Sequence, residues 1–429
     1  MTNPQGKMFI SYKHSQQPLA EGLEMALREH GVPVWRDVHE IGPDPLEQQI
    51  REDLADPNLA GGIAVVSEDV SESSIILEVE LPALRERCDD EDFFVVVALC
   101  PGLGHTEAKT ILAQADSPRD FSHWFMESIE VESNGEEPTS ILDHVVDAVT
   151  SVVPGTQRTN NQSPAFDQVV TAVLERRLQC VESNLSDDQP IDCTLDTYPH
   201  PSYEPQFALN IDWSPHFDGT IPKKSIWNDR LLPALRQSVD YLQDRAPGRE
   251  LRFRGRAHLP AAFSLGHCLQ ESRGIAAAWL QGQQSDFTPW RIDTSHEESR
   301  LQCDFEHLDT TASHLAVMVS IVDDVRPEVG RVKSELPPLN GMVEFRHEQS
   351  GEKRLTAPKA SHVAHVFEEQ LRDVLNRVSK TSMIHLFMAT PVGLAFLLGQ
   401  KTNTLPPIQT YCLSTTDSGR AYEPVALLK

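Results

Sequence analysis

The stretch from Gly61 to Leu84 constrains the fold of this chain more than any other segment. Its apolar run, Ile63 to Val66, is short and rich in β-branched residues, which is typical of a buried strand in a parallel sheet. A serine-rich turn follows, in which Ser73 or Ser74 can cap the helix that the next residues predict. The segment therefore predicts one strand-to-helix unit of an α/β sheet.

Two acidic residues, Glu78 and Glu80, lie in the predicted helix. Residues two positions apart on a helix do not share a face, so only one of them can point into a given pocket. Apolar residues lie one turn before and one turn after Glu80, whereas Glu78 neighbours Ser74 and Pro82. A carboxylate in an apolar stripe costs stability unless it is paired, and such groups concentrate at functional sites. Glu80 is therefore the candidate functional acid; the alternative is a partly exposed acid on a packed helix.

Strand and helix patterns alternate through the first part of the chain. They predict strands over Lys7–Tyr12, Val32–Trp35, Ile63–Val66 and Phe93–Leu99, and helices over Leu19–His30, Leu46–Leu54 and Ser140–Val153. Such alternation predicts a parallel sheet covered on both faces, with ligands at the carboxyl ends of its strands. The catalytic loops are therefore expected after Ser11, Trp35 and Val66.

Length, charge and cysteine content exclude several classes of protein. A chain of 429 residues is expected to form about two or three domains. It has no apolar run of membrane-spanning length and no signal-peptide pattern, which predicts a cytoplasmic protein without a membrane partner. The formal charge of −27 argues against binding long nucleic acid. Seven scattered cysteines predict reduced thiols, and neither they nor the pair Asp323-Asp324 predicts a metal site.

Several motifs in the first third of the chain resemble those of a TIR domain. They are FISYK (Phe9–Lys13), VPVWRD (Val32–Asp37), GGIAVVS (Gly61–Ser67) and SSIILEVEL (Ser73–Leu81). The resemblance implies a flavodoxin-like parallel sheet over residues 1–153. It also implies hydrolysis of NAD+, which many bacterial TIR domains perform with a glutamate early in the helix after the third strand. Glu80 and Leu81 fit that position, although Ile76 stands where a tryptophan is common.

The resemblance implies that Glu80 is the catalytic residue of an NAD+ glycohydrolase. Its carboxylate would stabilise the oxocarbenium-like ribose as the bond to nicotinamide breaks, without a metal or another cofactor. The candidate substrate-binding residues are Ser11, Tyr12, Lys13, Trp35, Asp37 and Ile76. Structural alternatives exist, since Tyr12 and Lys13 can end a strand in water, Trp35 can pack at the sheet edge and Asp37 can cap a turn. The loop Arg36–Pro45 is expected to complete the active site of a neighbouring subunit.

A polar segment rich in turn-forming residues, Pro154–Pro164, predicts a linker between residues 1–153 and a second domain over 165–429. The second domain contains a repeated motif, AFSLG at Ala262–Gly266 and AFLLG at Ala395–Gly399, with starts 133 positions apart (395 against 262). A strand-like segment and a proline turn precede both copies. Duplication therefore predicts two α/β halves, roughly 165–308 and 309–429, that form a pseudo-symmetric cleft.

Strand candidates also precede each copy of the repeat. They are Phe207–Trp213 and Leu251–Ala257 for the first copy, and Leu315–Val322 and Ile384–Ala389 for the second. This arrangement resembles a SAVED domain, which consists of two fused CARF-like, Rossmann-like halves. The resemblance implies that a cyclic oligonucleotide, with cyclic tri-adenylate as the expected activator, binds here in CBASS anti-phage defence. It also implies that the ligand promotes self-association into an oligomer or filament.

The candidate ligand-binding residues combine basic, aromatic and helix-terminal positions. They are Arg254, Arg256, Ser264, Gly266, Trp290, Thr390, Pro391 and Gly393. Arg252, Arg254, Arg256 and His258 alternate and would share one strand face, which suits phosphates but equally suits an exposed edge strand protected by charge. The turn before the second helix can bind anions or simply connect two elements. Trp290 can stack on a base or pack in the core.

Taken together, the sequence predicts an NAD+-cleaving enzyme that a cyclic oligonucleotide activates. Two alternatives stay open. In one, the TIR domain is a non-catalytic scaffold that the ligand assembles. In the other, it is a cyclase that makes a cyclic ADP-ribose signal.

Overall fold

The protein, as a computed structural model, divides into two compact units. Unit 1 comprises Met1–Asp187, Pro201–Asp212 and Asp244–Ala246, and unit 2 comprises Asp188–His200, Trp213–Gln243 and Pro247–Lys429. The structure describes residues 2–36, 46–115, 124–129, 166–186, 188–199, 206–217, 219–270, 274–283, 286–293, 297, 299–309, 311–347, 355–378, 380–416 and 419–429. The predicted helix 140–153, the predicted linker 154–164 and residues 37–45 of the predicted loop lie outside these ranges.

Unit 1 is built on a parallel sheet of five strands. The strands are β1 (Lys7–Ser11), β2 (Val34–Trp35), β3 (Leu59–Val66), β4 (Phe94–Leu99) and β5 (Phe125–Ser128). Their order is β2-β1-β3-β4-β5, and every neighbouring pair is parallel. This is the flavodoxin-like order, whose switch point lies between β1 and β3. The predicted fold of the first domain is confirmed.

Helices cover this sheet. They are α1 (Gln17–Glu29), α2 (Leu46–Leu54), α3 (Leu81–Arg87), α4 (His105–Leu112) and α5 (Asp167–Ser183). All eight residues of β3 are buried, as the uninterrupted apolar run predicts for a central parallel strand. Helix α1 has a proline in its first turn and buries Leu19, Leu23 and Leu27, which lie on one face. It ends before Gly31, which has the positive φ of +91° that favours glycine after a helix.

A buried arginine holds α5 within unit 1. Arg177 has no exposed surface and donates hydrogen bonds to main-chain carbonyl oxygens of Gly6 (2.6 Å), Gln5 (2.8 Å), Ala208 (2.7 Å) and Phe207 (3.2 Å). A buried guanidinium is costly unless its donors are satisfied, so these bonds fix α5 beside the start of β1.

The two compact units do not coincide with the domains that the sequence predicts. Helix α5 and the strand β7 (Leu209–Asp212) were assigned to the second domain but belong to unit 1 by their packing. Arg28 of α1 forms an ion pair of 2.7 Å with Asp212, which strengthens this attachment. The segments that follow the predicted linker are therefore shared between the two units.

Unit 2 contains strands of two sheets. The strands are β6 (Ile191–Asp196), β8 (Leu251–Arg254), β9 (Ala277–Gln283), β10 (Asp286–Arg291), β11 (Leu301–His307), β12 (His314–Ser320), β13 (Leu339–His347), β14 (Met383–Ala389), β15 (Ile408–Thr416) and β16 (Gly419–Leu428). The first sheet contains the order β10-β9-β8-β6, and the second has the order β11-β13-β12-β14-β15-β16. The longer helices are α6 (Leu232–Arg245), α7 (Leu259–Cys268), α8 (Arg326–Val332), α9 (Ala357–Arg377) and α10 (Val392–Gln400).

The predicted duplication is visible in strand order and in helix geometry. Strands β6, β8, β9 and β10 pair in parallel, parallel and antiparallel fashion, and β12, β14, β15 and β16 repeat that pattern. The residues that precede α7 and α10 have nearly identical dihedral angles, φ −63° and ψ 146° at His258 against φ −58° and ψ 145° at Pro391. The sequence proposed Phe207–Trp213 as the earlier strand of the first copy. The strand that pairs with β8 as β12 pairs with β14 is instead β6.

The AFxLG helices pack against each other through their glycines. A Cβ atom on Gly266 would lie 2.0 Å from the carbonyl oxygen of Phe396, and one on Gly399 would lie 2.2 Å from that of Phe263. Both distances are far below van der Waals contact with main-chain atoms, which cannot move aside as a flexible side chain can. The close approach of α7 and α10 therefore requires glycine at both positions. Each glycine packs against the main chain of the other helix.

No helix among the described residues has both the length and the apolar character needed to cross a membrane. Within the same residues, no cluster of three or more histidine, cysteine, aspartate or glutamate side chains could hold a metal ion.

Candidate functional site

The Glu80 carboxylate lies at the switch point of the unit 1 sheet. Residues Ile76–Glu80 form a single π-helical turn that leads directly into α3, where the sequence predicted regular helix. Glu80 is 8% exposed, whereas Glu78 is exposed, as the two-residue spacing predicts. π-turns within helices are uncommon and are frequent at functional sites.

The partner of Glu80 is a serine at the end of β1. The Ser11 hydroxyl donates a short hydrogen bond to Glu80 Oε2, and Ser11 itself is 2% exposed. Ser11 of β1 pairs in register with Ala64 of β3. The hydrogen bond from Ser11 to Glu80 therefore connects this strand pair to the helix that follows β3. A buried carboxylate that accepts such a bond is held in one orientation. The structure therefore brings together two of the predicted site residues, Ser11 and Glu80.

Lys13 and the loop after β3 form a charged network near this edge. The Lys13 ammonium group lies 2.9 Å from Glu72 Oε2 and donates to the Asp69 carbonyl oxygen at 2.7 Å. The hydrogen bond from Lys13 to Glu72 raises the pKa of the lysine. Burial alone would raise the pKa of Asp69, but hydrogen bonds from Ser15 and Ser67 lower it below its usual value. Lys13 thus ties the loop after β1 to the loop after β3.

The other predicted substrate-binding residues have structural partners. The Tyr12 hydroxyl accepts a hydrogen bond of 3.3 Å from Arg36, and the Trp35 ring lies 5.0 Å from that of Phe9. Ile76 is buried within the apolar core of unit 1. Asp37 lies outside the described residues. The packing role that was the alternative for Trp35 is therefore observed, and Ile76 faces the core in this conformation.

A cavity of about 520 Å³ opens at the carboxyl edge of this sheet. Its lining comes from the start of α1 and from the loops after β3 and β4, and it includes Gln16, Ser67, Asp69 and Cys100. Burial raises the pKa of Cys100 to about 12, which keeps this thiol protonated and unreactive at neutral pH. Neither Ser11 nor Glu80 lines the cavity.

The basic strip that the sequence predicted in unit 2 is interrupted. Strand β8 ends at Arg254, and Gly255 turns the chain with a φ of +145°. Arg252 pairs with Glu250 at 2.6 Å, and the Arg254 guanidinium carbon lies 4.9 Å from the centre of the Phe287 ring. Strand β8 lies between β6 and β9, so the alternative of a charge-protected edge strand is wrong. Arg256, another residue of the predicted strip, lies beyond the end of β8 at the carboxyl edge of the sheet.

The remaining predicted ligand-binding residues are buried in this conformation, except Pro391, which is half-buried. The Ser264 hydroxyl donates to the Pro260 carbonyl oxygen at 2.7 Å, and Gly266 packs against Phe396. The main-chain N–H of Gly393 donates to Gln281 Oε1 at 2.9 Å. This bond occupies one of the main-chain N–H groups that were predicted to bind an anion.

Two more of these residues, Thr390 and Trp290, lie beside that helix terminus. The Thr390 hydroxyl donates to the Pro391 carbonyl oxygen at 2.8 Å. Trp290 is 5% exposed and packs beside Gly393, as the core interpretation of this tryptophan expects.

An aromatic stack that no sequence motif indicated lies at the carboxyl edge of the first copy. The rings of Tyr198 and His258 are stacked with centres 4.3 Å apart, and those of His258 and Phe217 are stacked at 4.6 Å. Thr197 Oγ1 lies 2.7 Å from His258 Nδ1 and also accepts the main-chain N–H of His258 at 2.8 Å. Burial lowers the pKa of His258 to about 4, so the ring is neutral. These residues are far apart in sequence, and no motif connects them.

Two family models match the chain. Residues 8–128 match the TIR domain, and residues 234–428 match the SAVED domain, which is described as the "SMODS-associated and fused to various effectors sensor domain". A search of curated proteins gave no match. Both resemblances noted in the sequence are confirmed at the level of domains.

Similar solved structures cover most of the chain at low identity. The Acinetobacter baumannii Cap4 SAVED/CARF-domain containing receptor with 2'3'3'-cAAA is 15% identical, with a TM-score of 0.48 over 91% of this chain and 87% of that chain. The same receptor with 3'3'3'-cAAA is 14% identical, with a TM-score of 0.47 over 91% and 87%. The Moraxella osloensis Cap4 receptor is 15% identical, with a TM-score of 0.43 over 91% and 86%. By its family matches, the chain carries an N-terminal TIR domain and a C-terminal SAVED sensor domain.

Proposed function

We propose that this protein is an NAD+ glycohydrolase of CBASS antiviral defence that a cyclic oligonucleotide switches on. The observation that carries the enzymatic part is the buried Glu80 carboxylate, held by Ser11 at the β1/β3 switch point. In sheets of this order, ligands bind outside the carboxyl ends of the strands at that point. The match to a SAVED sensor domain supports the regulatory part.

The chemistry needs one negative charge beside the ribose and one water molecule as the nucleophile. When the C1'–N bond breaks, its electron pair leaves with the pyridine nitrogen of nicotinamide, and the ribose becomes oxocarbenium-like. The Glu80 carboxylate stabilises that positive charge, and Ser11 fixes the orientation of the carboxylate. Water then attacks C1' and releases a proton, which gives ADP-ribose and nicotinamide. No metal or further cofactor is required for these steps.

The burial of Glu80 supports gating. With 8% of its surface exposed, the residue has little room for a ribose in this conformation. We therefore expect substrate access to require a rearrangement around the π-turn Ile76–Glu80. Ligand-driven self-association, into an oligomer or filament, is the proposed trigger for that rearrangement.

The test is release of nicotinamide from NAD+ by the purified full-length protein, with and without cyclic di- and trinucleotides. Ligand-dependent release supports the proposal. Ligand-driven growth in light scattering without any NAD+ consumption would contradict the enzymatic part and favour a scaffold. Release of nicotinamide with cyclic ADP-ribose as the product would identify a cyclase.

A further inference from the structure

Exposed large apolar side chains are rare among the described residues, and two of them occupy equivalent places in the duplicated sheets. Those exposed by more than a third are Tyr198 (40%), Val322 (60%) and Leu308 (37%). Tyr198 lies two residues beyond the end of β6, and Val322 lies two residues beyond the end of β12. Since β6 and β12 are equivalent strands, both side chains lie at the carboxyl edge, where parallel sheets bind ligands.

Tyr198 is held rigidly although it is exposed. Its ring rests on His258, which rests in turn on Phe217, with interplanar angles of 13° and 15°. His258 is fixed by two contacts to Thr197, which directly precedes Tyr198. A preorganised aromatic surface costs little entropy when a planar group stacks on it.

A cation lies beside this ring. The guanidinium carbon of Arg256 is 5.6 Å from the centre of the Tyr198 ring, and the Arg256 side chain is exposed. Its backbone is fixed on both sides, since its N–H donates to Asp196 Oδ1 at 2.8 Å and its carbonyl oxygen accepts from Thr197 N at 2.9 Å. The turn before it requires Gly255, where a Cβ would lie 2.2 Å from the Leu195 carbonyl oxygen.

The equivalent place in the second copy has an aliphatic side chain and paired charges. Val322 is followed by Asp323 and Asp324, of which Asp324 pairs with Arg326 at 3.0 Å and Asp323 lies 3.6 Å from Arg420. The arginine beside Asp324 lowers the pKa of that carboxyl group, so it stays charged at neutral pH. Val322 can therefore contact a base or a sugar but offers no aromatic face for stacking, and the two arginines near it are already paired with carboxylates.

We propose that the two copies bind a cyclic nucleotide asymmetrically, with one nucleotide recognised by Tyr198 and Arg256 of the first copy. Tyr198 stacks on its base and Arg256 faces its phosphate, while Val322 supplies an apolar contact to another part of the ring. The inference rests on the proposed function and specifies its sensor site. It places the principal recognition contact at a residue outside the AFxLG motifs.

The test is calorimetric titration of the full-length protein with 2'3'3'-cAAA and 3'3'3'-cAAA. We expect Tyr198→Ala to weaken binding at least about tenfold, because base stacking on an aromatic ring carries that much affinity. Tyr198→Phe should stay within about twofold of wild type, since the ring is retained. Arg256→Gln should weaken binding and reduce its dependence on salt. Leu308→Ala is the matched control and should bind normally, because Leu308 follows β11 at the opposite edge of the second sheet.

Two different failures can be told apart. Wild-type binding that Tyr198→Ala leaves unchanged would overturn this inference and leave the proposed function standing. Wild-type protein that binds no cyclic nucleotide would overturn the proposed sensing function and this inference with it. If Tyr198→Ala does not fold, Tyr198→Leu takes its place under the same criteria, since leucine covers His258 but offers no aromatic face.

Discussion

The carboxyl edges of the TIR sheet and of the first sheet of unit 2 are built from different kinds of side chain. In the TIR domain, hydroxyl, ammonium and carboxylate groups are joined by hydrogen bonds, with Ser11 on Glu80 and Lys13 on Glu72. In the first sheet of unit 2, an exposed ring, Tyr198, lies on a stack of two others beside Arg256. Both edges use the same parallel-strand geometry. Under the proposed function, the edge residues, and not the sheet, decide between bond cleavage and recognition.

The largest effect that tests this separation is expected at Glu80. Glu80→Gln removes the negative charge but keeps the shape, so nicotinamide release should fall by about a hundredfold or more. Binding of cyclic nucleotide should be unchanged, as measured by calorimetry on the same preparation. Glu78→Gln is the matched control, because Glu78 is exposed and lies two residues away. Equal activity of Glu80→Gln and wild type would refute the assignment of Glu80.

The next effect concerns the contact between α7 and α10, the equivalent helices of the two copies. Gly399→Ala places a Cβ atom 2.2 Å from the Phe263 carbonyl oxygen, so α7 and α10 must separate. Overpacking of this kind costs about 1–3 kcal/mol, and the melting temperature should fall by several degrees. Gly330→Ala is the control, since a Cβ there meets nothing within 4 Å, and helical alanine is favoured over glycine. Equal melting temperatures for Gly399→Ala and Gly330→Ala would show that the close helix contact is absent in solution.

A smaller loss is expected from Ser11→Ala. The substitution keeps Glu80 but removes the hydroxyl that orients its carboxylate. One hydrogen bond to a charged group corresponds to a rate loss of about tenfold, which steady-state nicotinamide release would measure. Ser11→Thr, which keeps the hydroxyl, should retain more activity than Ser11→Ala. A rate for Ser11→Ala equal to that of wild type would mean that Ser11 only packs against Glu80.

The smallest effect is a pH dependence inside the SAVED domain. His385 Nε2 lies 2.8 Å from His314 Nδ1 and its Nδ1 lies 2.8 Å from the Tyr411 hydroxyl. Burial, with the nearby His314 second, lowers the pKa of His385 to about 4. The unfolded chain, with a histidine pKa near 6.5, then binds more protons between about pH 6.5 and 4, so folding stability falls as the pH falls through that window.

The measurement for this effect compares melting temperatures of wild type and His385→Gln across the same window. The variant should lose less stability than wild type on acidification, because it lacks the histidine that must stay neutral when buried. Parallel curves for the two proteins would show that His385 does not contribute. Nicotinamide release at neutral pH should be the same for both, since His385 lies in the interior of the second sheet.

Local patterns predicted the unit 1 sheet and the position of its acid. The run Ile63–Val66 predicted a central strand, and two-residue spacing correctly separated buried Glu80 from exposed Glu78. The π-turn at Ile76–Glu80 was missed because periodicity does not distinguish it from regular helix. The AFxLG repeat predicted the duplication. Its glycines, however, allow α7 and α10 to contact each other and do not form an open ligand-binding surface.

The parts that the sequence did not predict depend on contacts between distant segments. Tyr198, Phe217 and His258 meet only when β6 and β8 pair, and none of them belongs to a motif. The sequence does not indicate the role of Arg177 either. Its hydrogen bonds go to main-chain oxygens of two segments, Gln5–Gly6 and Phe207–Ala208, that are distant from it in the sequence. Side-chain periodicity carries no information about such acceptors.

Release of nicotinamide from NAD+ by wild-type protein and by Glu80→Gln, each with and without a panel of cyclic di- and trinucleotides, tests whether Glu80 is the catalytic residue of a ligand-gated enzyme. Wild type should release nicotinamide only when one of these ligands is present, and the variant should lose about a hundredfold or more of this activity although the ligand still binds. Release that is independent of every ligand, or equal release by both proteins, would overturn this assignment.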